Sequence, residues 1–301
     1  MAQVILRTHD LTKRYGGFVA LDKVSLTLNE GDIYGLVGRN GAGKTTLFKC
    51  VMGLAHPTDG TIVVSDETVR LNRARKKMGF MINASFFPYL GPKENLGYLC
   101  RIKGFRQKGE VDRLLELVGL SGVKKPFKAF SLGMKQRLGI AGALLGSPSV
   151  VVLDEPINGL DPQGIIDMRN VIKDVHEQTN TTFMISSHIL SELDMVATKF
   201  GFIDHGVLLQ EIAHADLHKH ARKSLAIEVD QAAQAKVVLE ALGIRDVSIE
   251  GNRLILSSHL DRSSEIARAL VNNNVALHDL HRQETTLEDY FMRLIGGGQD
   301  V

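Results

Sequence analysis

Residues 33–51 read IYGLVGRNGAGKTTLFKCV, and this stretch determines the fold class. An apolar run of strand type leads into a glycine-rich loop and then into KTTLFKCV, a helix-like segment. The loop matches GxxxxGK[ST] between a strand and a helix, which is the context expected for a phosphate-binding loop. Glycines let successive backbone N–H groups point at phosphate oxygens, and the helix N-terminus adds its positive end. The sequence therefore predicts an α/β domain that binds a nucleotide phosphate.

Each part of this loop has a predicted role. Lys44 is expected to reach the β and γ phosphates, and the Thr45 hydroxyl is expected to ligate Mg²⁺. The residues predicted to contact the nucleotide here are Gly38, Arg39, Asn40, Gly41, Ala42, Gly43, Lys44, Thr45 and Thr46.

A second strand, in PSVVVLDEP, ends in two acids. Asp154 is placed to hold the metal and its water shell, and Glu155 is the candidate general base, a role that typically contributes ~10²- to 10⁴-fold in rate. Two acids after a strand can instead cap a turn, but DEP is followed here by NGLDP, which disfavours that alternative. The guanine-reading motif NKxD is absent from the sequence, which argues against a GTPase.

Composition limits the remaining classes of function. The chain has 301 residues, 44% of them hydrophobic and 23% charged, as in an ordinary globular protein. Its formal net charge of +2 gives no electrostatic case for nucleic acid as a partner. We expect Cys50 and Cys100 to be reduced thiols. There is no signal-peptide core and no apolar run near the roughly 20 residues that span a bilayer, so we expect any membrane role to come through a partner.

Two domains are predicted, at 1–215 and 224–301, with a linker at 216–223. The continuous apolar runs in PSVVVLDEP and TTFMISSH are typical of buried central strands. The polar segment HADLHKHARK indicates a surface connection, so we assign its histidines, His214, His218 and His220, to linker polarity rather than to a metal site. The later segments follow the order βαββαβ, which predicts a small ferredoxin-like sandwich with an added helix.

Taken in order, these motifs resemble the ATP-binding subunit of an ABC transporter over residues 1 to about 215. The resemblance implies a mixed sheet core, an N-terminal antiparallel β subdomain and a helical signature subdomain, with ATP and Mg²⁺ as cofactors. Tyr15 in KRYGG matches the aromatic residue that stacks on adenine in that family. Without the phosphate loop that follows, Tyr15 alone would be interpreted as an ordinary strand tyrosine.

The segment FSLGMKQR matches the family signature, which is LSGGQ in most members. Ser131 and Gly133 keep the hydroxyl and the small residue, whereas Leu132 and Met134 replace a glycine and a glutamine. The resemblance implies that this segment binds the γ-phosphate held by a second copy, so that a homodimer encloses two ATP molecules. Asp161 matches the loop through which the two subunits sense each other.

His188, in ISSH, matches the switch histidine that contacts the γ-phosphate and the attacking water. A histidine after a strand is more often structural than catalytic. Its position about 30 residues beyond Glu155, at the end of the next strand, favours the catalytic interpretation.

The segments SLGMKQRLGIAGALL, DEPINGLDPQGI and ISSHILSELD narrow the resemblance to exporter ATPases of the bacitracin-resistance and lantibiotic-immunity group. This implies a subunit at the cytoplasmic face of the cell membrane that drives a separate transmembrane permease for a peptide, an antibiotic or a similar amphiphile. We expect the permease to dock beside segment 83–100, where FFPYL places aromatic residues in a loop. Alternatively, Phe86, Phe87 and Tyr89 pack under the helical subdomain.

Asn83 is a further candidate metal ligand. In the family, the strand matched by MGFMI ends in a glutamine or glutamate that touches Mg²⁺; counted forward that position is Asn83, and counted backward from FFPYLGPKENL it is Ile82. Because isoleucine cannot ligate a metal, Asn83 is the candidate. The alternative is that its amide only caps the strand end.

Two other classes of function remain open from the sequence. One is an ABC ATPase that acts on ribosomes or DNA, although such proteins usually carry paired ATPase domains or a long coiled-coil insertion. The other is a weakly hydrolysing regulator that responds to nucleotide.

Overall fold

The computed structural model describes residues 3–65, 67–68, 78–82, 84–104, 109–220, 223–256, 258–284 and 287–296. The chain divides into two compact units, Met1–His214 and Ala215–Val301.

The strands of the first unit are β1 (Val4–Tyr15), β2 (Phe18–Val24), β3 (Thr27–Asn29), β4 (Ile33–Val37), β5 (Asp59–Val64), β6 (Glu67–Thr68), β7 (Met78–Met81), β8 (Val150–Leu153), β9 (Thr182–Ser187), β10 (Lys199–Asp204) and β11 (Val207–Ala213). Its helices are α1 (Lys44–Val51), α2 (Pro92–Lys103), α3 (Glu110–Leu117), α4 (Leu132–Leu144), α5 (Pro162–Thr179) and α6 (Leu190–Asp194). A 3₁₀ turn spans Phe127–Ala129. Across the described residues, no helix combines the length and apolar character that crossing a bilayer requires.

The central sheet of the first unit has the strand order β11-β10-β4-β9-β8-β7 and is parallel from β10 to β7. Strands β4, β8 and β9 are buried along their whole length, as their continuous apolar runs predict. Because parallel strands end at the same edge of a sheet, the segments after β4, β8 and β9 lie side by side. This edge brings the glycine-rich loop, the acid pair and the ISSH segment together.

A second, antiparallel sheet has the order β2-β1-β5-β6, with β3 also pairing with β1. Strands β1 and β2 form a hairpin in which Tyr15 pairs with Phe18, and Gly16 turns the chain with φ of 58°. Buried residues from this sheet, from α1 and from the parallel sheet form one apolar cluster.

Helices α2, α3 and α4 contact one another and form the helical region. Helix α4 also packs on β7 through glycines, because a Cβ on Gly79 would overlap the backbone oxygen of Ala143 and one on Gly139 would overlap Sδ of Met81. The predicted mixed sheet, antiparallel β subdomain and helical subdomain are therefore confirmed.

The second unit contains β12 (Lys223–Val229), α8 (Ala232–Ala241), β13 (Val247–Glu250), β14 (Arg253–Leu256), α9 (Ser263–Asn272), β15 (Leu277–Glu284) and α10 (Leu287–Gly296), with a 3₁₀ turn at Leu260–Arg262. Its sheet order, β13-β14-β12-β15, is antiparallel throughout, and buried side chains of β12, β14, α8 and α9 form its core. This order is the one that a ferredoxin-like βαββαβ unit produces, so the predicted sandwich is confirmed.

Residues His214–His220 form a further helix, α7, which the sequence analysis did not predict. The segment looks polar because five of its seven residues are His, Asp or Lys, but Leu217 is fully buried. His214 and Asp194 both belong to the first unit, and Nε2 of His214 lies 3.0 Å from the backbone oxygen of Asp194.

Candidate functional site

The glycine-rich loop follows β4 and turns directly into α1. Gly43, at the N-cap of α1, has φ of 109°, and a Cβ there would lie 2.8 Å from the backbone oxygen of Ala20. A Cβ on Gly38 would overlap the backbone oxygen of Ile203. Both positions therefore require glycine, and the loop stays tightly wound with its backbone close to neighbouring strands.

An open cleft of about 390 Å³ lies against this loop. It is lined by Phe18, Ala20, Asn40, Gly41, Ala42, Gly43, Lys44, Thr45, Thr46, Glu155 and Asn158. The predicted loop residues from Asn40 to Thr46 thus share one cleft with the predicted base.

Two exposed aromatic rings stand at the β1–β2 hairpin. Tyr15 is 49% exposed, and Nζ of Lys13 lies 4.8 Å from its ring centroid. Phe18, its partner across the hairpin, is 66% exposed and lines the cleft. Phe18 was not among the residues predicted from sequence to contact the nucleotide, although an aromatic residue directly after the Gly16–Gly17 turn was a usable signal.

Lys44 is only 6% exposed, and its ammonium group is fully engaged. Nζ donates to the backbone oxygens of Gly38 (2.7 Å) and Arg39 (3.2 Å) and lies 3.2 Å from Oε1 of Glu155. A buried cation held in this way is a positioned positive charge at the floor of the loop.

Asp154 follows β8 and is bonded through both carboxylate oxygens. Its Oδ2 accepts from the Thr45 hydroxyl at 2.8 Å, and its Oδ1 accepts from the Ser186 hydroxyl at 2.7 Å. Two of the three residues that were predicted to hold the metal, Thr45 and Asp154, are therefore in direct contact. They supply the hard oxygen donors that Mg²⁺ prefers, so the donor set fits this ion.

Glu155 adopts a left-handed backbone conformation with φ of 49°, which is uncommon outside glycine and asparagine. Its Oε2 lies 3.0 Å from Nδ1 of His188, which donates when that nitrogen carries the proton. Strained backbone of this kind persists where surrounding contacts hold it, and it is common at active sites. The structure thus brings the predicted base, histidine and lysine together.

The turn that carries His188 is anchored by its neighbour Ser187. The Ser187 hydroxyl donates to Oε2 of Glu192 at 3.0 Å and accepts the N–H of Ile189 at 3.0 Å. Burial raises the pKa of Glu192, and the hydrogen bond from Ser187 partly opposes that rise.

The signature segment lies apart from this cleft. Ser131 caps α4 by accepting the N–H of Met134 at 3.3 Å, and Asp161 caps α5 by accepting the N–H of Gly164 at 3.1 Å. Both helix N-termini border a second cavity of about 450 Å³, which Gly133 also lines. Leu132 is 44% exposed at its rim. Ser131, Gly133 and Asp161 are absent from the lining of the phosphate-loop cleft among the described residues.

The aromatic residues after β7 were predicted either to dock a permease or to pack under the helical subdomain, and the structure shows both packed and exposed rings. Phe86 packs edge-on against Phe127, with ring centroids 5.3 Å apart, and lines a groove of about 390 Å³ with residues of α2 and α4. Phe87 is half exposed and Tyr89 is 77% exposed. Asn83 lies outside the described residues, so its assignment as a metal ligand stays a prediction.

Comparisons with known proteins bear on the family of the chain. The family described as "ABC transporter" matches residues 21–158. The bacitracin transport ATP-binding protein BcrA of Bacillus licheniformis is 41% identical over 300 residues, covering 98% of each chain. The lantibiotic transport ATP-binding protein SrtF of Streptococcus pyogenes is 38% identical over 208 residues, covering 69% of this chain and 90% of that one.

A solved structure, cbiO1 from Clostridium perfringens, which is part of the ABC transporter complex cbiONQ, superimposes with a TM-score of 0.66. It is 23% identical and covers 72% of this chain and 91% of that chain, so the likeness concerns the fold alone. The assembled glycine-rich loop, acid pair and histidine are consistent with the ABC transporter family. The similarity to BcrA, 41% identity over 98% of each chain, shows that this chain belongs to the ABC transporter ATP-binding proteins, whose ATP hydrolysis is coupled to transport.

Proposed function

We propose that this chain powers a separate transmembrane permease that exports a peptide antibiotic or a similar amphiphile. The observation that carries the proposal is the similarity, over almost the full length of the chain, to proteins named for bacitracin transport. A shorter match to a protein named for lantibiotic transport supports it. The chain would act at the cytoplasmic face of the membrane, held there by the permease.

In the proposed mechanism, the β and γ phosphates of ATP lie over the loop at Asn40–Thr46. Backbone N–H groups of this loop donate to the phosphate oxygens, and Lys44 neutralises part of their negative charge. Glu155 orients the attacking water and accepts its proton. His188, 3.0 Å from Glu155, fixes the geometry of that carboxylate and of the γ-phosphate. Tyr15 stacks on the adenine.

Thr45 and Asp154 would hold Mg²⁺, which supplies neutralising charge on the phosphate oxygens. Their 2.8 Å contact supports this role, because a hydroxyl and a carboxylate oxygen already converge there. Asn83, whose assignment comes from the sequence, is the third proposed ligand.

We propose further that two copies of the chain face each other head to tail. Ser131, Gly133 and the N-terminus of α4 would contact the γ-phosphate bound by the second copy, and Asp161 would lie at the shared interface. This proposal is supported by the exposure of the signature segment and by its separation from the phosphate-loop cleft. ATP binding would favour the closed dimer, and hydrolysis would release it.

The permease would dock in the groove between β7, α2 and α4. Apolar residues such as Met81, Phe86 and Leu99 line this groove, and Phe87 and Tyr89 stand exposed beside it. Exposed apolar surface of this kind suits a partner helix.

The test is growth of cells that naturally carry the gene, challenged with bacitracin and with lantibiotics. We expect deletion to lower the inhibitory concentration of one of these compounds and the intact gene to restore it. Glu155→Gln should fail to restore resistance, whereas the exposed control Glu177→Gln on α5 should restore it fully. Unchanged sensitivity to all of these peptides after deletion would contradict the proposed substrate class.

A further inference from the structure

Ser186, the second residue from the end of β9, links the two acids of the site. Its side chain is fully buried. The hydroxyl donates to Oδ1 of Asp154 at 2.7 Å and accepts the backbone N–H of Glu155 at 2.9 Å. One small side chain therefore contacts the residue proposed to hold the metal and the residue proposed to act as the base.

The geometry follows from the register of two parallel strands. Leu153 of β8 pairs with Ile185 of β9, so Ser186 stands beside the point where β8 ends and the acids begin. At that point the Glu155 backbone turns into the left-handed region, with φ of 49°. The Ser186 hydroxyl accepts a hydrogen bond from the backbone N–H of Glu155 at this turn.

We propose that Ser186 is a positioning residue for ATP hydrolysis. Through Oδ1 it sets the rotation of the Asp154 carboxylate, so that Oδ2 faces Thr45. Through the N–H of Glu155 it holds the strained turn that aims the Glu155 side chain at Lys44 and His188. The inference rests on the roles proposed above for Asp154 and Glu155.

A hydroxyl group suits this place because it combines one donor with acceptor lone pairs. Alanine would leave the Glu155 N–H and one lone-pair site of Asp154 without their partner in a buried position. Threonine keeps the hydroxyl, and its branched Cβ is acceptable in a strand. The neighbouring Ser187 does not substitute, because its hydroxyl is bonded to Glu192 and Ile189.

The experiment compares Ser186→Ala, Ser186→Thr and a matched control on the same strand. Thr182, at the other end of β9, is equally buried, and its hydroxyl accepts the N–H of Gly31 at 2.9 Å. Thr182→Val therefore removes a buried hydroxyl of the same strand, remote from the acids. The full chain is used, with steady-state ATPase kinetics, the Mg²⁺ concentration at half-maximal rate, and thermal melting.

We expect Ser186→Ala to lower kcat by roughly 10- to 100-fold, as the loss of a buried hydrogen bond to a charged group predicts. KM for ATP should change less than about twofold, because nucleotide contacts lie mainly in the glycine-rich loop. The Mg²⁺ requirement should rise, Ser186→Thr should recover most of the rate, and Thr182→Val should keep the wild-type kcat even where its melting temperature falls.

A wild-type kcat in Ser186→Ala would overturn the inference, as would an equal loss of kcat in Thr182→Val. A loss in Ser186→Ala that threonine does not restore would point to a structural role only and would also overturn it. Glu155→Gln is measured in parallel. If it retains turnover, the role proposed for Glu155 fails and takes this inference with it, whereas loss there with normal turnover in Ser186→Ala overturns this inference alone.

Discussion

Two regions of the molecule differ in how their polar side chains are hydrogen-bonded. The first, which we call the catalytic edge, lies where β4, β8 and β9 end, and its side chains bond to one another. It comprises Lys44, Thr45, Asp154, Glu155, Ser186 and His188. The second, the signature surface, comprises Ser131, Leu132, Gly133 and Asp161. There Ser131 and Asp161 cap the N-termini of α4 and α5, and Leu132 is 44% exposed.

This difference indicates where each kind of defect should be detected. A change at the catalytic edge alters groups that a single chain already holds in place, so it should alter chemistry at any protein concentration. A change at the signature surface should alter turnover only through steps that need a second chain.

The largest effect is expected from Glu155→Gln. The amide keeps the shape of the side chain but cannot accept the proton of the attacking water, so we expect turnover to fall by ~10²- to 10⁴-fold. Nucleotide binding, measured by fluorescence titration, should persist. Glu177→Gln on the exposed face of α5 is the charge-matched control; comparable loss in both variants would show that the effect is not specific to the catalytic edge.

The next effect is expected from the glycine pair of the phosphate loop. Gly43→Ala places a Cβ against the backbone oxygen of Ala20 at φ of 109°, and we expect ATP to bind about 10- to 100-fold more weakly. Gly41→Ala has positive φ but no neighbour within 4 Å, so its loss should be smaller. Isothermal titration of ATP measures both, and equal losses would contradict the packing argument.

A smaller effect, visible only in the two-chain reaction, is expected from Ser131→Ala. Loss of the cap on α4 weakens that helix by about 1 kcal/mol, and turnover should fall roughly tenfold with ATP binding unchanged. Ser131→Asp keeps a capping oxygen but places a negative charge toward the second copy's γ-phosphate. We expect Ser131→Asp to be as stable as the wild type and to turn over more slowly than Ser131→Ala. Wild-type turnover in Ser131→Asp would contradict the proposed contact with the second copy's γ-phosphate.

The smallest effect is expected in the pH dependence of folding stability that arises from Glu192. Because burial raises the folded-state pKa of Glu192, its contribution to stability is present below the ordinary value of 4.5 and is lost as pH rises through the raised pKa. Glu192→Gln removes this dependence and still accepts from Ser187. Melting temperatures between pH 4.5 and 7 should therefore fall less steeply in the variant than in the wild type. Parallel curves would contradict this assignment.

The contiguous parts of the catalytic edge were predictable from sequence, because GRNGAGKTT and VVVLDE place their chemistry within one strand and the turn after it. The bonds of Ser186 were not predictable, since they depend on the register of β8 against β9 and on the positive φ of Glu155. Helix α7 was missed because five of its seven residues are polar, and the burial of Leu217 emerges only in the folded chain. The counting ambiguity at Asn83 is unchanged, since that residue lies outside the described ranges.

The close packing of α4 on β7 has a mechanical consequence. Met81 accepts the N–H of Asp154 through its backbone oxygen at 2.9 Å, and its sulfur fills the space left by Gly139 of α4. One residue therefore touches both the acid that would hold the metal and the helix that begins at the signature. Because protein interiors are nearly incompressible, we expect a displacement of a few tenths of an ångström at Asp154 to reach α4 with little slack. Met81 would then transmit displacements from Asp154 to α4, and a larger or smaller side chain there would change how far α4 moves without altering the acids themselves.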